Sequence, residues 1–159
     1  MRRSAIVAVR AAAVIAAVFA IYRLCILPYR GAAVEGEVQR RSEVADTAGG
    51  QRSVILAREN LNDLTRIAAG RRLATSWYML YGGNCTLLDR WPDAVDAYTR
   101  ALTIDQRPEI YFYRGLARLH LGQHDAGVAD LVTAARFDPF FTDQLGGELQ
   151  KQVAAAARQ

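Results

Sequence analysis

The chain has 159 residues, of which 52% are hydrophobic and 23% charged, so it is long enough for one modest domain and leaves little for a second. Its net charge of +4 comes from the first 33 residues, which hold no acidic residue and five basic ones: Arg2, Arg3, Arg10, Arg23 and Arg30. Because this basic excess coincides with an apolar stretch, and the remaining 15 basic and 16 acidic residues nearly cancel, we expect no nucleic-acid partner.

The first predicted element is an apolar segment at residues 5–29, with the sequence AIVAVRAAAVIAAVFAIYRLCILPY. As a helix it would extend ~37 Å, which exceeds the hydrocarbon core of a bilayer. Arg10 and Arg23 are far enough apart along such a helix to reach opposite interfaces. Residues 1–29 are therefore predicted to form a single transmembrane anchor that contacts membrane lipid, with Pro28 ending its helix.

Two alternatives stay open for this segment. A basic start, MRRSAIVAVR, followed by the apolar run AAAVIAAVF and by Ala20, is also typical of a secretory signal that is cleaved after that alanine. A soluble amphipathic helix is the other alternative. If the segment is a retained anchor, its basic residues favour a cytoplasmic N-terminus and an extracytoplasmic C-terminal domain.

The next stretch, residues 30–50, combines four glycines with mixed charges and has no clean helical period. It is predicted to be a partly flexible linker. We expect a helical domain at residues 51–159. Its first helix is predicted at residues 53–69, because apolar residues recur there at steps of three and four: Val54, Ala57, Leu61, Leu64 and Ala68.

An internal repeat appears when the chain is compared with itself at an offset of 33 residues. Tyr78 then falls on Tyr111, and Gly82 falls on Gly115. Further pairs are Leu88 and Leu121, Ala94 and Gly127, Val95 and Val128, Tyr98 and Leu131, Ala101 and Ala134, and Asp105 and Asp138. Because bulky and small positions both recur, each unit is predicted to be two antiparallel helices that approach closely at the glycines.

The two units, at about 75–107 and 108–141, resemble tetratricopeptide repeats (TPRs). The resemblance is carried mainly by the second unit, in Tyr111-Phe112-Tyr113-Arg114-Gly115, Gly122-Gln123-His124-Asp125, Ala134 and Phe137-Asp138-Pro139. The chain departs from the pattern at Arg114 (for leucine), Cys85 and Arg118 (for tyrosine) and Gln106 (for proline). The resemblance implies an all-α fold, in which a short array of helical hairpins follows the transmembrane helix.

An array of two hairpins needs cover at both ends, because each exposed end is apolar. The helix at residues 53–69 is expected to cover the front. A last helix at residues 142–157, capped by Thr142, is expected to cover the back with four inward side chains: Leu145, Leu149, Val153 and Ala156.

A binding surface is also implied by the TPR resemblance, because in that family the first helix of each hairpin lines the inner face of the array. In the first unit this face carries Ser76, Met79, Gly83, Thr86 and Leu87. In the second unit it carries Glu109, Phe112, Leu116, Leu119 and His120. Some members clamp a peptide carboxylate at this face, but four matching positions cannot donate the necessary hydrogen bonds: Met79, Gly83, Phe112 and Leu116.

Two interpretations of this apolar face are equally compatible with the sequence. An external peptide or helix could dock on it, with Phe112 as an anchor. Alternatively, the helix at residues 142–157 could fold back over the face, which would make the same residues part of the core.

No set of residues in the chain indicates catalysis, a metal site or a cofactor. His120 and His124 are separated by a predicted turn at Gly122, so they would not share a helix face. Cys25 and Cys85 are far apart and form no CxxC motif. We expect neither an enzyme nor a small-molecule substrate.

The leading functional interpretation is a membrane-tethered scaffold or adaptor that binds a protein partner at or in a membrane. One alternative is an accessory structural subunit that is permanently assembled into a larger membrane complex. Another is a secreted TPR module released by signal cleavage.

Overall fold

The computed structural model describes residues 14–23 and 27–158. Every regular element within these ranges is a helix, which confirms the predicted all-α class. Beyond a short helical stretch at residues 14–21, the helices are α1 (Leu27–Ala48), α2 (Gly50–Ala68), α3 (Thr75–Thr86), α4 (Trp91–Leu102), α5 (Pro108–His120), α6 (His124–Phe137), α7 (Phe140–Asp143) and α8 (Gly147–Ala157).

The predicted membrane anchor falls only partly on residues that the structure describes. Residues 5–13 and 24–26 of that segment lie outside them. Across 14–23 and 27–158, no helix has the length and apolarity needed to cross a bilayer.

The linker predicted at residues 30–50 is instead occupied by α1, a helix of 22 residues. Val38 and Ala45 are fully buried because they face α2 and α3 from one side of α1. Pro28 is within α1, and the residues just before this helix, 24–26, lie outside the described ranges, so the prediction that Pro28 ends the anchor helix is not tested. The linker prediction was wrong because this packing outweighs the helix-weakening effect of Gly31 and Gly36.

A sharp turn joins α1 to α2. Gly49 and Gly50 adopt positive φ angles of 62° and 57°, which cost glycine little. The chain therefore reverses at once, and α1 packs along α2 as an antiparallel pair held by ion pairs from Arg41 to Glu59 and Asp63.

The described chain thus forms three consecutive antiparallel hairpins, α1/α2, α3/α4 and α5/α6, in which α2 packs on α3 and α4 packs on α5. The second and third hairpins correspond to the two predicted repeats, and a single helix was expected in front of them. That front helix, α2, begins at Gly50, slightly before its predicted start at Ser53.

The glycines of the repeat lie at the closest helix contacts. A Cβ atom on Gly82 would come within 2.7 Å of the Tyr98 ring, and one on Gly115 within 2.9 Å of Leu131 Cγ. Both distances are too short for a methyl group, so these positions require glycine. The same close approach therefore occurs in α3/α4 and in α5/α6.

A buried ion cluster distinguishes the third hairpin from the second. Asp130 accepts hydrogen bonds from Arg114 Nε and Nη2, at 2.8 and 2.7 Å, and from Arg118 Nη1 at 2.7 Å. The equivalent residues of the second hairpin, at the offset of 33, are Tyr81, Cys85 and Ala97. Two departures from the TPR pattern, Arg114 and Arg118, thus share one carboxylate partner.

The C-terminal region closes the array at α6. It consists of the short helix α7 and of α8, which begins at Gly147 and not at residue 142. Gly147 has φ of 57°, which breaks the single helix expected at residues 142–157. Leu145 and Val153 are buried against α6, whereas Leu149 packs at the edge of the same cluster.

Candidate functional site

A groove of about 360 Å³ lies on the side of the array formed by the first helices of the three hairpins. Four residues of α1 line it: Gln39, Ser42, Glu43 and Asp46. From α3 and the residue after it come Ser76, Met79, Leu80, Gly83, Asn84, Thr86 and Leu87. Tyr98 of α4, Glu109 and Tyr113 of α5, and Arg107, just before α5, complete the lining.

The floor of the groove is one face of α3. Met79, Gly83 and Thr86 recur at helical spacing and therefore project to the same side. A Cβ atom on Gly83 would meet nothing within 4 Å, in contrast to one on Gly82. Gly83 is therefore a gap in the floor, and Met79 and Leu87 lie about one turn to either side of it.

A buried polar network fixes α1 beside this floor. Asn84 Nδ2 donates to Ser42 Oγ at 3.0 Å, and Asn60 Nδ2 donates to Asn84 Oδ1 at 2.9 Å and to Ser42 Oγ at 3.2 Å. Asn60 and Asn84 are fully buried, so an unpaired amide here would be costly. These bonds link α1, α2 and α3 and fix the rotation of each helix about its own axis.

The groove is acidic along α1. Among the described residues, no arginine, lysine or histidine forms an ion pair with Glu43 or Asp46. Partial burial, and then the neighbouring charge of Glu43, raise the pKa of Asp46. Arg107 also lines the groove, but it already binds Asp105 at 2.8 Å and Glu109 at 2.9 Å. Two exposed carboxylates, those of Glu43 and Asp46, therefore face the groove without an ion-pair partner among the described residues.

Six of the ten residues predicted on the inner face line this groove, namely Ser76, Met79, Gly83, Thr86, Leu87 and Glu109. The other four do not line it, namely Phe112, Leu116, Leu119 and His120.

Phe112 is 4% exposed, and its ring centroid lies 5.1 Å from that of Phe141 in α7. It shares a cluster with Leu131, Leu145 and Val153, and Leu116 and Leu119 pack against the same cluster. The chain after α6 therefore covers this part of the predicted face, and Phe112 cannot anchor a partner in this structure.

His120 is exposed at the end of α5, and its ring stacks on Trp91 at a centroid distance of 3.9 Å. The imidazole thus packs between the second and third hairpins and lies outside the groove. In the described part of the chain, no cluster of three or more histidine, cysteine, aspartate or glutamate residues could hold a metal ion.

The chain matches no family model, no curated protein and no solved structure.

Sequence reasoning missed the groove residues that α1 contributes, because it assigned their segment to a linker. A usable signal was the recurrence of Val34, Val38 and Ala45, which places apolar residues on one side of a helix. Tyr98 and Tyr113 were missed because they reach the groove from α4 and from another face of α5.

A larger depression, of about 740 Å³, lies between α6, α7 and α8. It is open because small residues line it, including Ala135, Ala154 and Ala155, and its charged side chains, Arg136 and Lys151, are exposed. It is lined by three basic residues and one acid, Asp143, whereas the groove is lined by three acids and one basic residue, Arg107.

Cys85 lies beneath the groove and is fully buried. Burial raises the pKa of its thiol to about 11, so the sulfur stays protonated at neutral pH. Its role in the structure is to fill space in the cluster with Tyr98 and Ile110.

Proposed function

We propose that this chain is a membrane-tethered adaptor that binds a segment of a partner protein in the groove. The observation that carries the proposal is the groove itself, built from the first helices of three consecutive hairpins with an unfilled gap at Gly83. A floor of Met79 and Leu87 with a polar rim has the composition of a peptide-binding surface.

A TPR-like array is part of this proposal. The glycine contacts at Gly82 and Gly115 support it, since they give the second and third hairpins the same close packing. The salt-bridged cluster at Asp130 also supports it, because it explains how Arg114 and Arg118 fit positions where the pattern prefers uncharged residues.

The tether is the apolar, arginine-flanked segment at residues 5–29. Because α1 is helical from Leu27 to Ala48, no flexible linker would lie between Leu27 and the array. The groove wall would then stand within ~33 Å of Leu27, the length of a helix of 22 residues.

The groove is tested with Gly83→Trp in the full chain, because a Cβ atom at this position is free of contacts and directs the indole ring into the gap. Gly83→Ala is the matched control. Each tagged variant is crosslinked lightly in native membranes, purified and compared by mass spectrometry. A partner recovered with the wild type and Gly83→Ala, and lost with Gly83→Trp, supports the proposal. Equal recovery with all three would contradict it.

The tether is tested separately by fractionating cells that express the full chain or a chain starting at Leu27. We expect the full chain to resist carbonate extraction and to need detergent, and the shortened chain to be released. Release of both chains would exclude a membrane-spanning anchor. An intact mass that begins after Ala20 would show a cleaved signal instead.

A permanently assembled subunit is the second candidate, favoured by the apolar side chains left in contact with solvent. Phe137 and Phe140 are 61% and 62% exposed, and Ile104 is 54% exposed. Phe137 and Phe140 are three residues apart, and neighbouring exposed apolar side chains are typical of a surface that another subunit covers. Stoichiometric co-purification that survives high salt and Gly83→Trp, but not Phe137→Ser, would favour this function over the adaptor.

A further inference from the structure

We propose that the partner segment is cationic, and that it places a lysine or arginine side chain beside Glu43 and Asp46 in the groove. This inference rests on the proposed function and specifies the chemistry of the ligand that the groove takes.

The first support is the contrast between two sides of α1. Glu37 and Arg41 pair with each other at 3.8 Å, and Arg41 also pairs with Asp63 of α2. The groove side of α1 instead presents Glu43 and Asp46, one turn apart. In a chain with 20 basic and 16 acidic residues, the charges on the α2 side are neutralised within the fold and those facing the groove are not.

The second support is the state of the neighbouring cation. Arg107 is the one basic residue that lines the groove, but its guanidinium is ion-paired with Asp105 and Glu109. Glu43 accepts one hydrogen bond, from Gln39 Nε2 at 3.0 Å, which leaves its negative charge uncompensated. A ligand cation would therefore gain two carboxylates without displacing an existing ion pair.

The third support is shape. The gap above Gly83 admits a chain segment or a long side chain, and Met79 and Tyr113 offer apolar contact nearby. Lysine and arginine carry an aliphatic stem and a charged end, so they can use both parts of the groove at once. An acidic or purely apolar segment would leave Glu43 and Asp46 partly desolvated without compensation.

The test uses the full chain in nanodiscs of zwitterionic phosphatidylcholine and a phage library of random dodecapeptides. Empty nanodiscs remove peptides that bind lipid. Enriched peptides are synthesised, and their binding is measured by fluorescence anisotropy against the wild type, Gly83→Trp, and the double variant Glu43→Gln with Asp46→Asn. Glu148→Gln, an exposed acid on α8 outside the groove, is the matched control. Circular dichroism verifies that each variant is folded.

We expect the enriched peptides to share a lysine or arginine at one position, and their binding to disappear with Gly83→Trp. The double charge variant should weaken binding about tenfold, and added salt should weaken it as well, whereas Glu148→Gln should not.

If peptides without a shared basic residue bind, and lose binding with Gly83→Trp but not with the double charge variant, the cationic inference fails and the groove function stands. If no peptide is enriched, or if binding is unchanged by Gly83→Trp, both fail.

Discussion

Gly82 and Gly83 are neighbours on α3 with opposite surroundings, because one faces the Tyr98 ring and the other faces the open groove. A helix gains about 1 kcal/mol when alanine replaces an interior glycine, unless the new methyl group clashes. The value of each glycine therefore depends on the face of the helix that it occupies.

We expect Gly83→Ala to raise the free energy of unfolding by about 1 kcal/mol. Gly82→Ala should lower it by about 1–2 kcal/mol, because the buried Tyr98 ring cannot move away from the added methyl group. Urea denaturation of the two variants measures both changes. Equal effects would mean that Gly82 does not pack against Tyr98.

Asp46 makes the stability of the folded chain depend on pH. Its pKa is raised in the folded chain by burial and by Glu43, so ionisation of this carboxyl opposes folding. The protonated Asp46 carboxyl therefore stabilises the folded chain. This stabilisation is fully present below the pKa of an aspartate in the unfolded chain, and it is lost as pH rises through the higher pKa in the folded chain.

Asp46→Asn should therefore raise the melting temperature at pH 7 and have no such effect at a pH where aspartate is protonated. The gain should shrink in a Glu43→Gln background, because Glu43 is the second cause of the shift. Thermal melts between pH 7 and a pH at which aspartate is protonated test both expectations. A gain that persists at low pH would point to a cause other than the charge.

Among the elements, the third hairpin carries a polar cluster where the second carries Tyr81, Cys85 and Ala97. Asp130 is buried and holds two guanidinium groups. Removing one partner of such a cluster leaves uncompensated charge, whereas exchanging the whole cluster for apolar residues does not.

Asp130→Asn should destabilise the chain by about 3 kcal/mol. The triple variant Arg114→Tyr, Arg118→Cys and Asp130→Ala, which copies the second hairpin, should stay within about 1 kcal/mol of the wild type. Chemical denaturation of the two variants gives the comparison. A triple variant as unstable as the single one would show that the two hairpins do not pack equivalently.

The hairpins at α3/α4 and α5/α6 were predictable because their small residues recur at fixed spacing, as Gly82 and Gly115 do. The helix α1 was not, because its burial depends on only a few residues, Val38 and Ala45 among them, set among glycines and charges. The recurrence of Val34, Val38 and Ala45 is too sparse to predict a helix by itself, because the stability of α1 comes mainly from its contacts with α2 and α3.

The candidate site could likewise be predicted only in part from the sequence. Met79, Gly83 and Thr86, on the α3 side of the groove, could be named from the sequence because the TPR resemblance places them on the inner face. Whether Phe112 is covered depends on where α7 places Phe141, and that is fixed by the break at Gly147 and by packing on α6. Tertiary contacts of this kind are not encoded in one periodic stretch.

For the whole molecule, α1 completes both the core and the groove. It covers Leu64 and Trp77, and it supplies the acidic wall. A chain that starts at Gly50 should therefore melt about 10 °C below one that starts at Leu27, and should lose the binding of cationic peptides. Calorimetry of the two chains tests this. Equal melting temperatures would mean that α1 is not part of the cooperative unit.

The hydrogen bonds among Ser42, Asn60 and Asn84 have a consequence for the direction in which the groove faces. Since each residue turns a helix by about 100°, one residue inserted between Leu27 and Gly31, ahead of the packed residues Val34 and Val38, would leave these bonds intact and rotate only the part of the chain that precedes the insertion. If that part continues from a membrane anchor, the whole array would swing around the axis of α1 with its groove unchanged. The number of residues before Gly31 would thus set the direction in which the groove faces relative to the anchor. It would also set the direction from which a partner at the membrane must approach.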